Sequence, residues 1–266
     1  FTGGHGAPWL SDCWRLYPTL ERMPDGVGDF LTMVQWSDQE FIVHAFWPPR
    51  SESAESFRAW LDVLQSETAD HLGLVSWRTA DPNADWPASA TDQSVLIEAS
   101  VDSDVENGRP RASGFSVHLW ENPAPAQAQI SQHGSLRVTA GSTHAPSRMP
   151  ADRIVLNARE TPNPSLVAAT NCLESVIRHA RPSVATLTDL DVYRVLRRGG
   201  WFVPAARWIW IHQRVGAFDP TGTGFVTYPF EDGTFAMCPD DWGAQRVAEA
   251  GLALLTQSGL DAEVLH

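Results

Sequence analysis

The chain has 266 residues, a formal net charge of -13 at pH 7, and nineteen positive side chains that are all arginine. Because lysine is absent, P-loop, Schiff-base and pyridoxal-lysine chemistry are excluded. The negative charge disfavours nucleic acid and anionic membranes as partners, since phosphate groups are bound by basic surfaces. No stretch of sequence approaches the ~18 consecutive apolar residues of a membrane-spanning helix.

The N-terminal residues 1–28 are rich in glycine, proline and turn formers, which predicts a loop-rich extension. The chain begins at Phe1, so a leader could have been removed, although the visible start lacks the charged-then-apolar layout of a signal peptide. Cys13, Cys172 and Cys238 are scattered and indicate reduced thiols, which suits the cytoplasm. With no repeat or linker in the sequence, one domain is predicted over residues 1–266.

The first predicted elements are two strands and a helix. The apolar runs Phe30–Gln35 and Phe41–Trp47 predict strands, and the Pro48-Pro49 pair ends the second because proline cannot donate to a ladder. Residues 51–65 predict a helix, because apolar residues recur there at helical spacing. That stripe consists of Phe57, Trp60, Leu61 and Leu64.

The middle of the chain predicts mainly strands. A loop is predicted over Asp81–Asp92 and a strand over Val95–Val101. Alternation of apolar and polar residues predicts further strands at Phe115–Trp120, Gln129–Thr139 and Arg153–Asn157.

The next part of the chain alternates helices with strands. A helix is predicted over Ser165–His179, a strand over Val184–Leu187, a helix over Asp189–Arg198 and a strand over Trp208–His212. This mixture predicts an α+β fold, mainly an antiparallel sheet with several packed amphipathic helices.

A hairpin and a helix end the chain. Residues 225–237 predict the hairpin, with Asp232-Gly233 as the tight turn and Pro229 placing its first arm at a sheet edge. An amphipathic helix is predicted over Asp241–Ser258, ended by Gly259.

Charge is unevenly spread along the sequence. Residues 79–108 hold seven acids and no arginine, whereas residues 109–214 hold thirteen arginines and six acids. Acids in turns can reach a partner without disturbing the core. The candidate partner-binding residues are therefore Asp102, Asp104, Glu106, Glu231, Asp232, Asp240 and Asp241. The competing interpretation is that these acids only solvate loops, with Asp241 as a helix cap.

The sequence motifs for catalysis or metal binding are incomplete or absent. The acids from Asp102 begin like a calcium loop, but Asn107 and Ser113 occupy the positions of its glycine and bidentate glutamate. The sequence has no G-x-S-x-G elbow and no H-E-x-x-H pair. We therefore predict no catalytic residue, cofactor or metal. A hydrolase with a dispersed triad or a His/Asp metal site is the alternative, because triads are defined by geometry.

Several segments together resemble the bacterial immunity protein 52 family of polymorphic toxin systems. The resemblance lies in F-W-P-P-R-S-E-S-A-E-S-F at Phe46–Phe57, in G-F-S-V-H-L-W-E-N at Gly114–Asn122, in Gly200-Trp201, and in the D-G-T strand and final helix of Asp232–Leu260. Pro48 stands where the family has glycine, and residues 1–30 have no counterpart in it.

This resemblance implies a non-enzymatic immunity protein that binds and neutralises a cognate antibacterial toxin. The toxin implied is a restriction-endonuclease-like nuclease, delivered by a contact-dependent system such as type VI secretion. A nuclease is basic where it binds phosphate, so an acidic inhibitor would gain steered association. The implied location is the cytoplasm, where the producer's own nucleic acid needs protection.

Overall fold

A computed structural model of the chain describes residues 40–79, 85–100, 105–106, 109–110, 114–121, 134–142, 150, 152–159, 165–195, 200–262 and 264. Nine of its strands build one antiparallel sheet that five helices accompany, so the predicted α+β class is confirmed. The described residues belong to one compact unit, Val34–His266. The predicted extension 1–28 and strand Phe30–Gln35 lie outside the described residues, and the single domain over 1–266 stays a prediction.

The helices and strands have the following bounds. The strands are β1 Glu40–Trp47, β2 Trp77–Thr79, β3 Val105–Glu106, β4 Arg109–Pro110, β5 Phe115–Glu121, β6 Gly134–Ala140, β7 Asp152–Arg159, β8 Val184–Thr188, β9 Trp208–His212, β10 Val226–Phe230 and β11 Gly233–Met237. The helices are α1 Ala54–Leu72, α2 Ala90–Ala99, α3 Leu166–Ala180, α4 Leu190–Val195 and α5 Ala244–Gln257. None of these helices is long and apolar enough to cross a bilayer.

The main sheet has the order β10-β11-β9-β8-β1-β7-β6-β5-β2. Each pair of neighbouring strands in it is antiparallel. The strand β10 lies at one edge, as Pro229 predicted, because a proline has no N–H to donate to a further strand.

Helices α1 and α3 pack against each other and against one face of the sheet. Phe57 of α1 stacks on Phe115 of β5 with ring centroids 5.6 Å apart. The indole N–H of Trp77 in β2 donates to the backbone carbonyl of Gln65, 2.9 Å away. These two contacts pack α1 against the β5 and β2 end of the sheet.

Helix α5 packs on the opposite face, but only over part of the sheet. Its Leu255 belongs to a buried cluster with Phe46 of β1, Val184 of β8, and Ile209 and Ile211 of β9. The strands β5, β6 and β7 lie beyond this cluster in the sheet order.

The strand predicted at Val95–Val101 is wrong, because Val95–Ala99 belong to helix α2 and Ser100 is its C-cap, whereas Val101 lies outside the described residues. Ser89 caps this helix by accepting a hydrogen bond from the backbone N–H of Asp92 at 3.1 Å. Gln93 and Ile97, four residues apart, are its buried side chains. Ile97 therefore lies on the packed face of the helix, whereas Val95 is 61% exposed, and tertiary contacts override the weak strand propensity of such residues.

The hairpin turn is displaced by one residue from the prediction. Phe230 pairs with Gly233, so the two loop residues are Glu231 and Asp232. Glu231 adopts the left-handed conformation with φ 50°. Gly233 is instead the first residue of β11, where a Cβ atom would lie 2.3 Å from the backbone oxygen of Ile211. The glycine therefore permits close approach to β9.

Helix α1 runs to Leu72, seven residues beyond the predicted end, and residues 129–133 of the strand predicted at Gln129–Thr139 lie outside the described residues. Helix α3 begins one residue after the predicted start, with Ser165 as its N-cap. Cys172 and Cys238 are buried free thiols, as predicted, whereas Cys13 lies outside the described residues.

Asp152 forms a buried polar contact at the start of β7. Its carboxylate accepts backbone hydrogen bonds from Ser142 N at 2.9 Å and Arg50 N at 3.2 Å. Burial raises the pKa of Asp152 to about 6, although these two hydrogen bonds favour the charged form. The nearby Glu52 carboxylate also raises this pKa.

We expect Asp152 to make stability fall as the pH rises. Its pKa is higher in the folded state than the ordinary value of 3.8, so the folded state binds the proton more tightly. The stabilisation is fully present below pH 3.8 and is lost as the pH rises through about 6. Urea unfolding of the wild type and Asp152→Asn at pH 5 and pH 7 measures this. Between these pH values the free energy of unfolding should fall by on the order of 1 kcal/mol more in the wild type than in the variant. An equal fall in both proteins would contradict the raised pKa of Asp152.

Candidate binding surfaces

The first predicted acidic turn cannot be placed as a site. Asp102 and Asp104 lie outside the described residues, and Glu106 falls in the short strand β3 without a described side chain. The pairing of β3 with β4 brings Glu106 opposite Arg109 in the backbone register.

The second predicted acidic pair lies exposed at the β10–β11 hairpin turn. The Glu231 carboxylate accepts a hydrogen bond from Arg178 Nε of α3 at 3.4 Å. Arg178 also donates to Glu174 at 2.7 Å, and its guanidinium lies 5.1 Å from the centre of the Phe230 ring. Glu231 therefore already helps hold the hairpin against α3, whereas Asp232 lies exposed beside it.

The third pair, Asp240 and Asp241, is exposed and follows the opposite end of β11. Helix α5 has Gly243 as its N-cap with no side-chain cap, so Asp241 does not cap it. At about 3.3 Å per residue, the five-residue strand puts roughly 16 Å between this pair and the hairpin turn. The structure thus separates the two acidic pairs.

A different surface lies on the sheet face opposite α1, over β5, β6 and β7. We call it the open sheet face, and each of its side chains is half-buried or exposed. Its residues are Ser116, His118, Trp120, Ser135, Arg137, Thr139, Arg153, Val155 and Asn157. The side chains between them on the opposite face, including Val117, Leu136, Val138, Ile154 and Leu156, are at most 6% exposed.

The strand register gathers basic side chains on the open sheet face. His118 lies directly opposite Arg137, and Arg137 lies opposite Val155, two residues along β7 from Arg153. On the neighbouring strand, His44 also lies opposite Val155. Directly opposed residues share a face, and diagonal neighbours are ~7–8 Å apart. His44, Arg137 and His118 therefore lie along one line across the sheet, and Arg153 lies diagonal to both His44 and Arg137. We call these four basic side chains, which extend from the open sheet face onto β1, the row.

The pKa shifts indicate that these groups interact electrostatically. Burial, and then the charge of Arg153, lower the pKa of His44 to about 4. Burial and then the charge of Arg137 lower the pKa of both His118 and Arg153. At neutral pH the positive charge of the row therefore resides on the two arginines, beside neutral imidazoles.

Trp120 adds a large apolar surface next to this row. Its ring lies 4.2 Å from the ring of His118, and the residue is only half-buried. Tryptophan and arginine are the residue types that most often dominate the energy of protein interfaces. The sequence identified the strand and the arginine-rich middle separately. The row itself was missed, because the register between strands is not visible in a local pattern.

A serine, two histidines and a glutamate meet between α1 and α3. Ser175 Oγ donates to Glu67 Oε2 at 2.6 Å and lies 3.3 Å from His71 Nε2. His179 Nε2 lies 3.0 Å from the same Glu67 oxygen. A hydrolase triad instead needs the acid to orient the histidine and the serine to face a substrate. Ser175 is 1% exposed within α3, so this group resembles a packing contact.

Comparisons with known proteins identify no family. No protein-family model and no curated protein matches the chain. Among solved structures, a Pseudomonas aeruginosa type VI secretion system protein is similar over 96% of this chain and 82% of its own, with 10% identity and a TM-score of 0.47. At that level the likeness carries no argument about function. The resemblance to the immunity protein 52 family therefore stays a prediction.

Proposed function

We propose that this chain works by binding another protein, and more narrowly that it is an immunity protein that binds and neutralises a cognate antibacterial toxin. The observation that carries the binding function is the open sheet face. Trp120, Arg137 and Arg153 lie there on a rigid sheet, half-buried or exposed, while the opposite face of the same strands is packed. A preformed surface of these residue types favours binding because little conformational entropy is lost on association.

The narrower proposal draws on the sequence. Its family resemblance and net charge of -13 support a toxin with a basic, restriction-endonuclease-like nuclease surface, met in the cytoplasm of the producing cell. Asp232, Asp240 and Asp241 are exposed positions that could meet such a surface. Glu231 is a weaker contact candidate, because its partner Arg178 would have to be given up or shared.

The competing function is hydrolysis. Its best candidate among the described residues is Ser175, the serine that lies near His71. The hydroxyl donates to Glu67 and is buried in a helix, which supports binding over this alternative. The described residues also contain no group of three or more His, Cys, Asp or Glu side chains placed to hold a metal ion.

The test is capture of the product of the adjacent gene. We expect the purified chain to bind that product with nanomolar affinity in calorimetry, and its expression to restore growth of cells that produce the toxin. Turnover of ester or phosphoester substrates, lost in Ser175→Ala, would instead establish the hydrolase. Failure of both binding and rescue would contradict the immunity function.

The acidic contacts can be tested with charge-neutral variants of equal size. We expect Asp240→Asn/Asp241→Asn, Asp232→Asn, or both, to weaken toxin binding about tenfold, or ~1.4 kcal/mol, because a basic partner loses an attractive charge. Calorimetry at low salt measures this, and Glu55→Gln/Asp70→Asn on exposed positions of α1 is the matched control. If both variants bind like this control, the acidic contacts are elsewhere.

A further inference from the structure

We infer that the open sheet face docks an acidic segment of a partner protein, with carboxylates seated on Arg137 and Arg153 and apolar atoms against Trp120. The inference rests on the proposed binding function and adds the chemistry of the partner at this surface. It concerns a different surface from the exposed acids, whose partner would be basic.

Arg137 and Arg153 lie close together on this face without the carboxylate that several other arginines have among the described residues. Four of the other described arginines, Arg50, Arg178, Arg194 and Arg207, each have a carboxylate oxygen within 3.4 Å. Among the residues that the structure describes, Arg137 and Arg153 have no such carboxylate partner. They lie diagonally on adjacent strands, and the charge of Arg137 lowers the pKa of Arg153. A carboxylate between them would relieve this repulsion and could accept paired N–H donors from a guanidinium.

The open sheet face also carries several hydrogen-bond donors beside the two arginines. His118 is opposite Arg137 and is held towards its neutral form, so it keeps one ring N–H without adding charge. Ser116 and Thr139 lie opposite each other at the next position along the strands, with their hydroxyls 3.5 Å apart. Acceptor oxygens of an acidic segment would therefore meet several donors on a flat surface beside one indole ring.

Charge favours an acidic protein segment over a nucleic acid at this face. The chain has a net charge of -13, which repels a polyanion over distances longer than one contact. At the β2 margin of the face, Arg78 already pairs with Asp85 at 3.5 Å. The two guanidiniums of Arg137 and Arg153 give too small a footprint for a phosphate backbone, whose binding grows with the number of neutralised phosphates. They suit a short acidic segment on an otherwise neutral partner.

The experiment is an NMR titration of the full chain with a short peptide that alternates glutamate and serine around one central leucine. We expect amide shifts to concentrate in β5, β6 and β7. The Arg137→Gln/Arg153→Gln variant should weaken binding at least tenfold, and Trp120→Ala should weaken it several-fold. The matched control Arg194→Gln/Arg214→Gln removes two exposed arginines outside this face and should bind like the wild type.

Several outcomes would overturn the inference. They are the absence of binding to the acidic peptide, shifts centred outside these three strands, an equal loss in the control variant, and tighter binding of an oligothymidine of equal charge. Calorimetry with the adjacent gene's product separates the two proposals. If that product binds while the acidic peptide does not, the proposed function stands and this inference fails.

Discussion

Replacing Gly233 with alanine is expected to destabilise the fold by about 3 kcal/mol. A Cβ atom there would lie 2.3 Å from the backbone oxygen of Ile211 and 2.5 Å from the Trp210 ring. Neither is the end of a flexible side chain, because Trp210 is 1% exposed and its indole N–H donates to the Phe230 carbonyl at 3.1 Å. The strands β9 and β11 would have to separate, and the change in unfolding free energy in urea measures the cost.

Alanine variants of two other glycines separate the cost of a steric clash from the cost of a left-handed backbone conformation. Gly222 has φ 72° with open space around its Cβ position, so Gly222→Ala should cost only the ~1–2 kcal/mol of a left-handed alanine. Gly243 also has open space, at an ordinary φ of -68°, and its alanine variant should cost less than about 1 kcal/mol. If Gly233→Ala costs no more than Gly222→Ala, packing against β9 does not determine this position.

Replacing Arg207 with methionine is expected to cost about 3–5 kcal/mol, because it leaves a buried carboxylate without its cation. Arg207 Nε lies 2.5 Å from Asp189 Oδ2, with the two side chains 3% and 2% exposed. Arg207 also donates to the backbone carbonyl of Trp242 at 2.8 Å, which fixes the segment before α5. The other Asp189 oxygen accepts the Val192 backbone N–H at 2.8 Å, at the start of α4.

The double variant Asp189→Asn/Arg207→Met tests this explanation. The asparagine removes the uncompensated charge while keeping an oxygen for Val192, so the double variant should be more stable than Arg207→Met alone. Urea unfolding of the wild type, both single variants and the double variant gives the coupling free energy. If the losses of unfolding free energy in the two single variants add up to the loss in the double variant, the ion pair contributes little. The destabilisation of Arg207→Met would then come from the changed packing of the side chain.

Local sequence patterns predicted most elements because their causes are local. The stripe from Phe57 to Leu64 anticipated α1, whose Phe57, Leu61 and Leu64 are buried, and Pro229 anticipated the edge strand β10. The pattern failed at Val95–Val101. A run of β-branched residues in a short segment fits a strand or a helix equally, and contacts with α1 decide the outcome.

The candidate surfaces were less predictable, because they depend on residues distant in the sequence. The acids at 231–232 and 240–241 are close along the chain, yet β11 separates them in space. The contact of Glu231 with Arg178 joins residues that are 53 positions apart. Sequence charge alone treated Glu231 as an available acid, whereas packing of the hairpin against α3 gives it an internal partner.

The sequence by itself determined the charge of the chain, the absence of lysine chemistry, the α+β class and the alternation that makes one face of β5, β6 and β7 polar. Tertiary structure decided which polar residues meet. The register of the three strands places His118 opposite Arg137 and Arg153 diagonal to Arg137, and the placement of α5 leaves these side chains half-buried or exposed. Register and helix placement arise from long-range packing, which no local spacing in the sequence encodes.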